Sequence, residues 1–168
     1  MKLTDLFLDE LEREAVHTRR AVEQVPEGHE DWKPHDKSMP FGYLAQLVAT
    51  MPGWVTMTIK QDFLDLNPPG GGGGMKPLRT KQELLQALDQ GVAGARDALK
   101  TTTDDHLMKP WQLRVAGQVV SEEPRYVILR DAVFNHLAHH RGQMTVYLRL
   151  LGATVPAIYG PSADEKRF

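Results

Sequence analysis

The residues of this chain best suited to chemistry are two histidines four positions apart, His136 and His140. Imidazoles at i and i+4 of a helix lie one above the other, so both can turn a nitrogen toward one metal ion. They sit in residues 127–151, VILRDAVFNHLAHHRGQMTVYLRLL, whose apolar spacing predicts a helix. At about 100° per residue, Leu129, Val133, His136, His140, Met144, Tyr147 and Leu151 fall within a sector of about 80°, the width of a core-facing stripe. Arg130, Asn135, Arg141 and Arg149 fall outside it and are expected in solvent, and His139 is turned too far from His140 to join the same site. The competing reading is two core histidines hydrogen-bonded to buried partners. Two ligands are also short of a catalytic zinc-type centre, which takes three protein ligands and one open position.

The elements that must hold this pair follow from patterning. Residues 4–25 predict a first helix with Thr4 as its cap and Leu3, Leu6, Phe7, Leu11, Thr18, Val22 and Val25 on its apolar side. Glu14 and His17 there have the Glu-x-x-His spacing of di-iron bundles. Those bundles need two such pairs and two further glutamates; only one pair exists here and the stripe of residues 127–151 carries no carboxylate, so solvated edge charges are the preferred reading. A polar loop, residues 26–38, carries Trp32 as its anchor between His29 and His35. A second helix over about 40–64 has Leu44, Leu47, Val48, Met51, Trp54, Val55 and Thr58 on its core stripe, with a kink at Pro52-Gly53. Gln46 is turned toward solvent or a helix edge, so this helix offers the core no ligand. The stretch NPPGGGGG, residues 67–74, reads as a linker and lacks the Gly-Lys-Ser/Thr of a phosphate loop. Thr80-Lys81-Gln82-Glu83 is a capping box opening a third helix to about Lys100, with Leu84, Leu85, Leu88, Val92, Ala95 and Leu99 inward. Gly91 and Gly94 there weaken the helix or admit a close neighbour. Ala116-Gly117 between two β-prone runs predicts a short hairpin, and Gly152 should end the fourth helix. The remaining tail is expected to lie extended over the helices. The fold class expected is all-α, a four-helix bundle with that hairpin between helices 3 and 4, in one domain spanning residues 1–168.

Composition narrows the functional classes. The chain has 168 residues, 41% hydrophobic and 25% charged, with a net charge of −2, so nothing basic invites nucleic acid. It contains no cysteine, which excludes disulfides, thiolate ligands and a cysteine nucleophile. No signal-type run or membrane-length apolar segment is visible, and a cytoplasmic location is expected.

Four stretches then bear a family likeness: DWKPHDKSM before the second helix, GYLAQLVATMPGW within it, NHLAHHRGQMTVYLRLLG in the fourth, and VPAIYGPSADE in the tail. With these the chain resembles the DinB family nearly end to end. The resemblance implies a four-helix bundle, a homodimer, and a divalent metal held by three histidines, two of them at i and i+4 of the fourth helix. It also implies a small-molecule or low-molecular-weight thiol partner, since related members include thiol-dependent transferases and isomerases. His136 and His140 take the two fourth-helix positions. Where the family has its second-helix histidine, this chain has Leu47, and leucine coordinates no metal. A nickel, zinc, iron or manganese ion is therefore expected to bind weakly or not at all. Three arrangements stay open: metal on His136 and His140 completed by water or by His17 or Glu14, a metal-free ligand pocket, or two plain core histidines.

Two functions correspond to these arrangements. One is a metal-dependent transferase or hydrolase acting on a small molecule, in which Tyr147 either stabilises developing charge or is a core aromatic, and Arg141 meets an anionic substrate, the tail, or only solvent. The other is a non-catalytic dimeric protein for stress-associated ligand binding or scaffolding.

Overall fold

A computed structural model describes residues 2–71 and 76–166; part of the glycine linker expected at 67–74 and the end of the tail lie outside the described residues. The first helix, α1, runs Leu3–Val22 and buries Phe7, Leu11, Thr18, Ala21 and Val22. Thr4 does not cap it. Its first free N–H groups, on Leu3 and Thr4, donate to the carboxylate of Asp104 at 2.9 and 3.0 Å, a cap delivered from a hundred residues away.

The second helical stretch is α2, Phe41–Thr50, a tight turn at Met51–Gly53, and α3, Trp54–Lys60. The interruption falls where Pro52 removes a backbone donor. It ends four residues sooner than the periodicity suggests, because Phe63–Asp65 leaves the helix as strand β1. Next, α4 spans Lys81–Thr101 and has both halves of the capping box: Glu83 N–H donates to Thr80 Oγ1, and Thr80 N–H donates to Glu83 Oε2. Gly91 admits the turn at Gly53: a Cβ on Gly91 would lie 3.0 Å from Gly53 N. A short helix, α5, Asp104–Leu107, carries the Asp104 cap into place.

The expected hairpin is present as β2, Pro110–Val115, and β3, Gln118–Pro124, joined by Ala116 and Gly117 with φ of 51° and 79°. Both positive angles match the tight hairpin turn whose twist suits antiparallel strands. β1 pairs in parallel with β2, giving a three-stranded sheet in the order β1-β2-β3. The chain is therefore not all-α. Asp65 ties the sheet together by accepting the N–H groups of Ala116 and Gly117 at 3.0 and 2.7 Å.

The last helical stretch is α6, Arg125–Ile128, then a π-helical segment at Leu129–Asn135, then α7, His136–Leu150. The wider π turn brings Phe134 inward beside Val133, and Phe134 stacks on Phe7 with ring centroids 5.8 Å apart. At its base sits Arg125, 1% exposed, donating to the carbonyls of Thr58, Gln61 and Pro110 and to Asp62 Oδ1. That single guanidinium fixes the end of α3 and the start of β2 against the helix bearing the histidines. The tail packs on the helices but is extended only to about Ala157, which is buried with its carbonyl accepting from Arg20 at 2.7 Å. It then turns back, Ser162 N–H donating to the Glu165 carbonyl and Val155 N–H to Asp164 Oδ2, each at 2.8 Å. No helix among the described residues is long and apolar enough to cross a membrane.

The candidate metal centre and its surroundings

The π-helical segment and α7 together place the stripe much as the wheel requires. Val133, His140 and Met144 are buried, and His136 is half-buried. The two imidazoles converge: His136 Nε2 and His140 Nε2 are 2.8 Å apart. Each ring has its other nitrogen turned to an oxygen. His140 Nδ1 faces Gln143 Oε1 at 2.8 Å, and His136 Nδ1 faces the carbonyl of Ala132 at 3.3 Å. At that separation the two Nε2 atoms share one proton as an N–H···N hydrogen bond, one ring donating and the other accepting. A divalent ion taking the place of that proton would meet both nitrogens.

Its environment favours neutral rings. Burial pushes His140 below the ordinary imidazole range, and the neighbouring charges of His136 and His139 act in the same direction, against the bond to Gln143. A neutral ring is the form that ligates. Trp54 stands beside His136 with ring centroids 5.9 Å apart, and His139 is exposed.

The third ligand is a different matter. Leu47 is buried on α2, in one apolar cluster with Leu137, Met144 and Tyr147. Among the described residues, no group of three or more His, Cys, Asp or Glu side chains is gathered closely enough to hold a metal. Neither substitute joins the pair. Glu14 Oε2 accepts from Arg141 at 2.5 Å and from the Tyr159 hydroxyl at 2.8 Å, and His17 lies edge-on against Tyr159. The donor set fits a two-imidazole clamp and does not fit a three-ligand centre.

Two side chains depart from the sequence expectation. Arg141 is 1% exposed, not solvated; besides Glu14 it donates to Thr18 Oγ1 at 2.9 Å and to the Tyr159 hydroxyl. Gln46 is buried too, its amide donating to the Lys76 carbonyl at 2.9 Å and accepting from Leu78 N–H at 3.0 Å. Tyr147, by contrast, takes the core-aromatic alternative, packed against Trp32 and Phe41 with its hydroxyl turned to the Met39 carbonyl. Gln143 was not foreseen as a support for the pair. Its place three residues after His140, on the same helix face, was the available signal.

Comparison with known proteins bears on this arrangement. The DinB family model matches residues 75–167, more than half of the chain and the whole of the helix that carries the pair. The chain belongs to the DinB family. It is similar to the uncharacterized protein YrdA of Bacillus subtilis, 41% identical over 68 residues, which is 40% of this chain and 38% of that protein's length. Among solved structures, a DinB-like protein from Bacillus cereus superposes with a TM-score of 0.68 at 21% identity, over 91% of this chain and 95% of that one. A DinB-like protein from Bacillus subtilis gives 0.68 at 18% identity, over 96% and 99%. At those identities the likeness establishes a DinB-like fold.

Proposed function

We propose that this DinB-family protein carries a weak two-histidine divalent-metal site and works as a metal-dependent transferase or hydrolase on a small molecule or low-molecular-weight thiol. The observation that carries the reading is the convergence of the two Nε2 atoms to 2.8 Å on one helix face. His136 and His140 are the residues that would hold the ion, and imidazole pairs suit nickel, zinc, iron and manganese to differing degrees. When bound, a divalent ion supplies acidification of a coordinated water or thiol. The protein's own part is positional. Gln143 and the Ala132 carbonyl fix the two ring orientations, and Trp54 walls one side of His136. With Leu47 in place of a donor, the remaining coordination positions fall to solvent or to the ligand, and affinity is low accordingly.

A second reading is a non-catalytic dimeric protein that binds a small ligand or scaffolds a partner. The burial of Leu47 among Leu137 and Met144, where a third ligand would be required, favours it. Equilibrium dialysis of tag-free protein against each metal, followed by elemental analysis, separates the two. The metalloprotein reading requires about one equivalent at saturation, lost in His140→Ala; less than about a tenth of an equivalent of every metal leaves the non-catalytic reading.

A further inference from the structure

An open cavity of about 590 Å³ lies beside the N-terminal half of α2, and none of its lining residues belongs to the histidine pair. One wall is the loop carrying Glu30 and Asp31, the other the segment 77–79 ahead of α4. Both walls are pinned to α2. Gly42 N–H donates to the Glu30 carbonyl at 2.9 Å, and a Cβ on Gly42 would lie 2.9 Å from that of Glu30, so only glycine permits the approach. On the far side the buried Gln46 amide brackets the chain at Lys76 and Leu78, and Arg79 N–H is held by Glu83 Oε2 at 2.9 Å. The cavity is thus formed before any ligand arrives, and its volume lies in the range of small-molecule sites.

Its charges are divided between the walls and left unmatched. Among the described residues, the side chains of Asp31, Tyr43 and Arg79 line the cavity without a hydrogen bond or ion pair inside the chain. Glu30 uses one carboxyl oxygen, which accepts Gly28 N–H at 3.0 Å. Its own backbone N–H and that of Gly28 hold its carboxyl below the usual range, with the charge of Arg79 adding to the effect, so it stays ionised. A simple anion would meet two carboxylates here, and a simple cation would leave Arg79 alone. Pro40, Pro77 and the Tyr43 ring offer apolar contact between the charged ends.

We propose that this cavity binds a small zwitterion of amino-acid or dipeptide size, its ammonium group held by Glu30 and Asp31 and its carboxylate by Arg79. The inference goes beyond the metal site and is tested without metal, so the two stand or fall separately. The probe is alanylalanine, titrated into the full-length ¹⁵N-labelled protein and followed by amide chemical shifts, beside its N-acetyl and C-terminal amide forms. The expected result is saturable shifts at Gly42, Tyr43, Leu78 and Arg79 with a Kd below about 10 mM, and each capped form at least about fivefold weaker. In Arg79→Gln the advantage of the free acid over the amide should vanish, while the penalty for N-acetylation stays. The same spectra report whether the variant is folded, since its backbone N–H bond to Glu83 is untouched. No saturable shift at those amides, equal binding of the capped forms, or an acid preference that survives in Arg79→Gln would each overturn the proposal.

Discussion

Replacing Arg141 by alanine tests whether the guanidinium on the histidine helix is a structural element of the interior. The change removes a 2.5 Å charge-assisted bond to Glu14, a 2.9 Å bond to the fully buried Thr18, and the contact with the Tyr159 hydroxyl. What remains is the Glu14 carboxylate, with side-chain exposure of only 13%, still accepting from Tyr159. Breaking a buried pair from one side costs about 3–5 kcal/mol, because a charge stays behind without its partner. The surviving tyrosine bond and the residual exposure place the value at the low end, about 3 kcal/mol. For a chain of this size that lowers Tm by about 6–12 °C. Urea denaturation followed by circular dichroism measures it, with the m-value showing whether the unfolded state has changed. A loss below about 1 kcal/mol, the scale of a screened surface pair, would mean that Arg141 is not an interior structural element.

Other outcomes follow from the same contacts. Gly42→Ala should cost about 1–3 kcal/mol by the same assay, because the new methyl group meets Glu30 side chain and backbone at 2.9–3.1 Å. The half-buried His17, whose inaccessible Nδ1 has no partner among the described residues, is held below its ordinary 6.5 chiefly by desolvation, with Arg141 and Arg20 adding to the effect and Glu14 opposing it. A base with a depressed folded pKa gives full stability above that ordinary value and loses it as pH falls through the folded one. Denaturation midpoints of His17→Phe should therefore fall less steeply than wild type below about pH 6.5. Tyr159 is 66% exposed as a residue, yet its hydroxyl is pushed up to about 12, by desolvation first and by its bond to Glu14 next. For this acid the sign reverses, so its contribution is present below pH 10 and lost as pH rises toward 12, and ultraviolet titration should show one phenol ionising late.

Much of the positioning was legible because it is local. The i, i+4 stripe of α7, the capping box at Thr80 and the hairpin at Ala116-Gly117 each depend on residues within a turn or two of one another. The features the pattern missed are set by distant partners. Arg141 reads as solvated on a wheel because nothing nearby announces Glu14 and Thr18, 127 and 123 residues away in sequence. Gln46 and Arg125 are buried for the same reason: their amide and guanidinium groups take the place of backbone bonds that separate segments lack. β1 is three residues long and owes its existence to the hairpin it joins, so its sequence carries little strand signal. The π turn at Leu129–Asn135 shifts Phe134 inward, which a constant rotation per residue cannot express. The pair at His136 and His140 survives that shift because both residues lie beyond it, in regular α-helix.

On the proposed function, His136 and His140 bind one divalent ion weakly because Leu47 takes the place of a third ligand. Zinc titration by calorimetry of the wild type, His140→Ala and Leu47→His, at a pH where imidazole is neutral, tests it most directly. The wild type should bind one ion weakly, His140→Ala none, and Leu47→His at least about tenfold more tightly than the wild type. A wild type that takes up no ion, or a Leu47→His variant no tighter than its parent, would contradict it.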